Sequence, residues 1–221
     1  MDKSIKRNSV IIVAAGLGQR AGGIKPKQWQ KILGKRIVDW TISKFLDHPL
    51  INEIVLVTNN IDETKNLPNE VIIVKGGFER SESVLNGLLM VSDNISSVLI
   101  HDAVRPCVTS KLISSIIDGL EIFDCVIPVL PITDALWEID KSKINLVKSL
   151  DRGTFITAQT PQGFNRKKIL KAYKNNYFTA ADDAAIALKA GMRVSTIDGE
   201  PSNIKITRPT DFKLAELYME N

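Results

Sequence analysis

The segment Ala14-Ala15-Gly16-Leu17-Gly18-Gln19-Arg20 closes a short apolar run near the N-terminus. Glycines at that spacing let successive backbone amides converge on an anion. Arg20, Lys25 and Lys27 follow at once, so the loop carries its own cations and suits a polyphosphate. Residues 16–21 also satisfy the G-x-G-x-x-A dinucleotide pattern. That pattern needs a helix starting within its glycines, and Gly22, Gly23 and Lys25-Pro26-Lys27 would break one. The acidic residue expected roughly 20 positions on, at the close of a second strand, is also missing, because Asp39 falls within a helical pattern. The Gly-Lys-Ser/Thr ending of a Walker loop is absent. The loop therefore favours a nucleoside triphosphate and disfavours an NAD-dependent oxidoreductase.

Other residues with chemical capacity sit in short blocks. Gly76-Gly77-Phe78-Glu79-Arg80-Ser81-Glu82-Ser83 joins an expected strand to an expected helix. Ser81 or Ser83 could cap that helix, and Arg80 could form a structural ion pair. His101-Asp102-Ala103-Val104-Arg105-Pro106 follows the fourth apolar run, at the strand ends where open α/β sheets hold ligands. A carboxylate at Asp102 could face magnesium or a substrate hydroxyl, or simply form a turn, and Arg105 could grip an anion. His101 reads as a buried structural histidine. Two cysteines, Cys107 and Cys125, with His48 and His101, make neither a disulfide framework nor a repeated metal-ligand spacing. A reducing, cytoplasmic setting is expected.

The elements that must position these blocks follow from periodicity. Short runs rich in Val and Ile predict buried strands at Val10–Ala15, Glu53–Thr58, Val71–Val74, Ser97–His101, Asp124–Pro128 and Arg193–Ile197. Helical spacing predicts helices at Ile37–Leu46, Ser81–Val91, Ser110–Leu120, Asn165–Lys174, Asp182–Ala190 and Thr210–Met219. Ile37, Trp40, Thr41 and Phe45 would share one face of the first helix, and Leu112, Ser115, Ile116 and Gly119 one face of the third. This alternation argues for an α/β domain with a mostly parallel sheet. Residues 131–162 break the rhythm, carrying prolines and a turn but no helical pattern, and predict a hairpin or meander inserted as a protruding arm. The chain is expected to be a single domain over its 221 residues.

Composition narrows the function class. Apolar residues make up 44% and charged residues 24% of the chain, which permits a sizeable core and excludes a disordered or low-complexity protein. No apolar run approaches the roughly 18 residues of a membrane span, and the six of Val10–Ala15 fall short of a secretory signal core. The net charge of +4 comes without a basic block or aromatic-interleaved basic stretch, so small anionic substrates fit better than nucleic acid.

AAGLGQR with KPKQ, then GGFERSESV, HDAVRPC, LDRGTF, QTPQGF and SNIKITRPTD, resemble in order and spacing the 2-C-methyl-D-erythritol 4-phosphate cytidylyltransferase family, from residue 10 to about 218. The resemblance implies a Rossmann-like nucleotidyltransferase that joins CTP to methylerythritol phosphate with magnesium and releases pyrophosphate. It further implies that Arg20 and Lys27 stabilise the transition state and that Ala14, Ala15, Gly16, Gly18, Gly77, Ser83, Asp102 and Ala103 bind CTP. Asp102, Arg105, Arg152, Thr160 and Lys205 would bind the acceptor, with Arg152 and Lys205 positioning its phosphate. A homodimer is implied, the arm of each subunit interlocking with the other. The chain departs from the family pattern at Ala135 and Trp137, where Thr and Lys are common, and at Ala181-Asp182-Asp183, where Thr-Asp-Glu is common; loss of one neutral hydrogen bond at Ala135 would weaken acceptor binding about tenfold. A related family, the ribitol 5-phosphate cytidylyltransferases, shares the glycine loop and the Gln-Thr-Pro-Gln element, whereas Leu150-Asp151-Arg152 and Asn203-Ile204-Lys205 favour the first. CTP is expected to raise the melting temperature and NAD to leave it unchanged; a shift with NAD alone would overturn the nucleotide assignment.

Overall fold

The computed structural model describes residues 7–16, 25–142, 144–175 and 182–220. The strands are β1 (Asn8–Val13), β2 (Lys31–Ile32), β3 (Lys35–Arg36), β4 (Ile51–Thr58), β5 (Val71–Lys75), β6 (Ser97–Asp102), β7 (Cys125–Pro131), β8 (Leu136–Ile139), β9 (Leu146–Leu150), β10 (Ile156–Ala158), β11 (Gln162–Asn165) and β12 (Val194–Asp198). The helices are α1 (Ile37–Leu46), α2 (Arg80–Met90), α3 (Ser110–Gly119), α4 (Arg166–Lys174), α5 (Asp183–Lys189) and α6 (Thr210–Glu220).

The main sheet runs β10-β7-β11-β6-β1-β4-β5, with β12 also paired to β7. Strands β5, β4, β1 and β6 are mutually parallel, and β12 is parallel to β7. Two strands, β10 and β11, run against their neighbours. Alternation along the parallel strands divides the core. Val10, Ile12, Leu56 and Leu99 pack against α1 and α3 on one face, while Ile11, Val55, Val57, Val98 and Ile100 pack against α2, α4 and α5 on the other. Burial on both faces is why these strands read as unbroken apolar runs. A smaller cluster, including Ile32, Ile37, Val104, Ile206 and Ala215, seats α6 beside the site.

Local chemistry sets the helix ends. Thr109, Asn165 and Asp182 each accept a hydrogen bond from a first-turn amide, at Leu112, Lys168 and Ala185. The buried stripe of α3 is Leu112, Ile113, Ile116 and Ile117; Gly119 faces the sheet with them, where a Cβ would lie 2.9 Å from the Val126 side chain, whereas Ser115 is only half-buried because the larger apolar side chains take the sheet-facing positions. In α1, Val38 and Ile42 join Ile37, Thr41 and Phe45 in the core, while Trp40 stays half-buried and donates its indole N–H to the Ile32 carbonyl at 2.9 Å. The expected arm resolves into the antiparallel hairpin β8–β9 outside the main sheet, a turn at Arg152–Thr154, and β10, which returns to pair with β7. Cys107 and Cys125 are free thiols, both buried, and no helix among the described residues is long and apolar enough to cross a membrane.

Candidate active site

At the carboxyl ends of β1, β5 and β6 lies a cavity of about 570 Å³. Val13, Ala14, Ala15 and Gly16 line it together with Gly77 to Arg80, Ser83, and Asp102, Ala103, Val104, Lys27, Gln28 and Lys205. Of the residues expected to bind nucleotide, Ala14, Ala15, Gly16, Lys27, Gly77, Ser83, Asp102 and Ala103 are brought together here. Gly18 and Arg20 lie outside the described residues.

The walls are held by short-range constraints. The buried Gln28, in a single helical turn at Lys27–Trp29, donates its side-chain amide to the carbonyls of Ala14 and Gly16, both at 2.8 Å, pinning the base of the first loop. The second loop presses against it: a Cβ on Gly76 would lie 2.5 Å from the Cβ of Ala15. A Cβ on Gly77 would lie 2.3 Å from that of Glu82, so only glycine fits at these two positions. No serine caps α2. Instead the Glu82 carboxylate accepts from the amides of Phe78 and Glu79 at 2.6 and 3.4 Å. Ser83, almost wholly buried, accepts from Gly77 N–H at 3.1 Å and donates to Glu79 C=O at 3.0 Å.

Among the described residues three cations, Lys27, Arg80 and Lys205, reach the cavity. Lys27 Nζ donates to the Ile206 carbonyl at 2.7 Å. Lys205 Nζ lies 2.9 Å from Asp102 Oδ2, with Arg105 Nε at 3.4 Å from the same oxygen and Arg80 Nε at 4.0 Å from Oδ1. Burial alone would raise the Asp102 carboxyl, but Lys205, Arg80 and Arg105 together hold it well below the usual range. Arg80 pairs through both terminal nitrogens with the fully buried Asp183, at 2.9 and 2.7 Å. Burial opposes its charge, yet the Asp183 carboxylate raises the guanidinium further.

Arg105, Thr160 and Arg152 stand elsewhere. Arg105 is buried behind the cavity wall, where Nη1 donates to the Asn203 carbonyl at 2.7 Å. Thr160 is also buried, and its Oγ1 accepts from the Asp102 amide at 3.1 Å and sits 3.1 Å from His101 Nδ1. The Arg105 carbonyl, 3.2 Å from Nε2, can only accept, so Nε2 carries a proton, and the Thr160 hydroxyl is left to donate to Nδ1 of the neutral ring. His101 is fully buried as expected, and burial, the chief cause, pushes its pKa down to about 3, which keeps the ring neutral. Arg152 lies in the arm, exposed, donating to the Thr133 carbonyl, and does not line the cavity of its own chain.

The buried imidazole makes the fold acid-sensitive. Its folded pKa lies below the ordinary 6.5, so between about pH 6.5 and 3 the unfolded chain binds a proton that the folded one refuses, and stability falls as pH falls. From about pH 6 to pH 5, His101→Gln is expected to lose about 1 kcal/mol less unfolding free energy than the unsubstituted protein. Equal losses in urea titrations would sink the assignment.

No local sequence signal marks Gln28 as a loop anchor, Asp183 as the partner of Arg80, or Tyr173 as a donor to Asp183. The pairing of Arg80 with Asp183 spans 103 positions, and no periodicity carries such a signal.

Comparison with known proteins bears on this geometry. A family model for 2-C-methyl-D-erythritol 4-phosphate cytidylyltransferase matches residues 9–221. The chain is 41% identical over 212 residues to the 2-C-methyl-D-erythritol 4-phosphate cytidylyltransferase of Roseobacter denitrificans, covering 95% of both proteins. It is also 41% identical over 214 residues to a bifunctional enzyme IspD/IspF of a Ruegeria species, spanning 55% of that protein's length. The solved 2-C-methyl-D-erythritol 4-phosphate cytidylyltransferase of Francisella tularensis superposes with a TM-score of 0.84 at 28% identity, covering 96% of this chain and all of that one. With a mostly parallel Rossmann-like sheet and a cation-lined cavity at its carboxyl edge, the chain belongs to the 2-C-methyl-D-erythritol 4-phosphate cytidylyltransferase family of nucleotidyltransferases.

Proposed function

We propose that this chain transfers the cytidylyl group of CTP to 2-C-methyl-D-erythritol 4-phosphate and releases pyrophosphate, working as a single domain with a dimerisation arm. The observation that carries the reading is the convergence of Lys27, Arg80 and Lys205 with Asp102 on one cavity at the carboxyl ends of parallel strands. In this reaction an acceptor phosphate oxygen attacks the α-phosphorus of CTP, a P–O bond forms, and the bond to pyrophosphate breaks. The difficulty is bringing several negative charges together, so fixed cations are the main catalytic resource. The nucleophile carries no proton to remove, which agrees with a site whose nearest histidine is buried and neutral.

In this reading the backbone of Ala14, Ala15, Gly16 and Gly18 cradles the nucleotide, and Arg20 and Lys27 meet the triphosphate charge. Gly77, Ser83 and Ala103 frame the cytidine. Asp102 orients Lys205 towards the acceptor phosphate, while Arg105 and Thr160 fix Asp102 from behind through its carboxylate and its amide. The residue contexts and the 41% identical relatives favour methylerythritol phosphate over ribitol 5-phosphate as the acceptor.

The donor set suits a divalent cation held jointly with substrate. No group of three His, Cys, Asp or Glu among the described residues could hold a metal alone, but magnesium is commonly held by one or two carboxylates plus substrate phosphates. Asp102 would supply that carboxylate. When bound, the ion neutralises charge on the transferring phosphoryl group.

The arm supports a homodimer. Trp137, Ile139, Ile144, Leu146, Val147 and Ile156 are all exposed along it, more apolar surface than a solvated hairpin favours, and Arg152 in the same arm does not line the cavity of its own chain. A second copy would cover the hairpin and receive Arg152 in its own cavity. A cytoplasmic setting fits the two free, buried cysteines.

Pyrophosphate release from CTP and magnesium, compared with the two acceptor phosphates, tests the activity; strong preference for methylerythritol phosphate is expected, and preference for ribitol phosphate would move the protein to polyol-phosphate metabolism. Lys27→Ala is expected to slow turnover by roughly 2.7–4 kcal/mol of barrier, and near-normal turnover would remove Lys27 from its role. Co-expressing Lys27→Ala with Arg152→Ala chains should restore activity to roughly a quarter of the unsubstituted rate, the share of sites keeping both residues in a random two-fold dimer. No recovery would place Arg152 in its own chain's site, and full activity of Arg152→Ala by itself would place it outside any site.

A further inference from the structure

Arg80 and Asp183 form an ion pair whose geometry exceeds what a staple between α2 and α5 requires. Asp183 is completely buried and takes one N–H from each terminal nitrogen of Arg80, while the Tyr173 hydroxyl donates to its Oδ1. This end-on fork fixes the guanidinium plane as well as its position. A guanidinium has five N–H protons, and two are spent on Asp183. Arg80 Nε lies 4.0 Å from Asp102 Oδ1, beyond a hydrogen bond, and the remaining protons meet no partner among the described residues. The side chain keeps 36% of its surface exposed and lines the cavity between Gly77 and Ser83 on one side and Asp102 and Lys205 on the other.

On the CTP reading given above, the cytidine lies against the first pair and the acceptor phosphate against the second, so the α-phosphoryl group must pass between them. We propose that Arg80 donates to a phosphoryl oxygen of bound CTP, and that Asp183, with Tyr173 behind it, is a positioning residue that sets the plane of the guanidinium. Lysine could not replace the arginine, because a single ammonium cannot hold Asp183 through a fork and still present a second N–H edge to the nucleotide.

The test measures CTP and cytidine affinities by calorimetry for the unsubstituted protein, Arg80→Gln, Asp183→Asn and the double variant. Loss of a charge-assisted hydrogen bond should weaken CTP about tenfold or more in Arg80→Gln and leave cytidine within about twofold. Asp183→Asn should weaken CTP in the same direction, and the double variant should be no worse than Arg80→Gln, because both changes remove one interaction. Asp183→Glu, which keeps the carboxylate, should recover part of the loss. Unchanged CTP affinity in Arg80→Gln, equal losses for CTP and cytidine, or additive losses in the double variant would each overturn the proposal. If Asp183→Asn does not fold, Tyr173→Phe takes its place: a smaller loss confined to CTP supports the positioning role, and unchanged affinity overturns it. An unsubstituted protein that binds cytidine and CTP equally weakly would instead overturn the CTP reading itself.

Discussion

Burying Asp102 would by itself favour its protonated form, yet Lys205 at 2.9 Å, Arg105 at 3.4 Å and Arg80 at 4.0 Å keep it ionised. The reverse constraint matters as much. Cations crowded into one cavity repel each other, and without a fixed anion beside it Lys205 would turn towards water. Asp102 comes from the last residue of β6, a fully buried strand, so its backbone cannot drift, and its amide is tied to Thr160. The rigid centre of the sheet is thereby carried into the charge arrangement of the site.

The other cations are anchored in the same manner, each by an acceptor behind it. Lys27 donates to Ile206 C=O, and Arg80 rests on Asp183. Anchoring of this kind removes most reorganisation at the moment when negative charge develops, which is where electrostatic catalysis gains over water. Adjacent residues on one extended segment serve two of these anchors: Ile206 holds Lys27, and Lys205 reaches Asp102. The same segment receives Arg105 at the Asn203 carbonyl and returns the Asn203 amide to Thr160 C=O at 2.9 Å. Residues 203–206 thus join the loop after β1, the end of β6 and the base of the arm.

Much of this was legible in sequence wherever a short-range rule governed it. The helix at Ile37–Leu46 has the predicted bounds, and the parallel strands lie within a few residues of their apolar runs, because burial on both faces leaves an unmistakable pattern. Residues 14–16, which open the glycine loop, and the blocks at residues 76–83 and 101–106 do meet at one cavity, since strand ends in a parallel sheet converge on one edge. What escaped was set by tertiary pairing. The reversed strands β10 and β11 carry no local mark of direction, and Gln162-Gly163-Phe164-Asn165 is too short for periodicity to speak. Thr160 and Arg105 sit behind the wall because their polar atoms are taken by His101, Asp102 and Asn203, contacts that no spacing rule predicts.

The placement of Asp183 illustrates how a sequence block far from the cavity can govern it. A carboxylate side chain reaches only a short distance, so the start of α5 must itself be brought close to Arg80. Gln162 does this from β11: its Oε1 accepts from the Ala184 amide at 3.0 Å and its Nε2 donates to Asp182 Oδ2 at 2.9 Å. Asp182 in turn caps the helix at the Ala185 amide. The side chain of Gln162 therefore fixes both the first turn of α5 and its capping residue, leaving Asp183 aimed at α2 with little freedom. The reversed strand β11 is what makes this reach geometrically available, because it sets Gln162 opposite Ile100, two residues before the end of β6. A polar side chain on the one central strand that runs against the sheet thus links the floor of the site to the helix that holds its arginine.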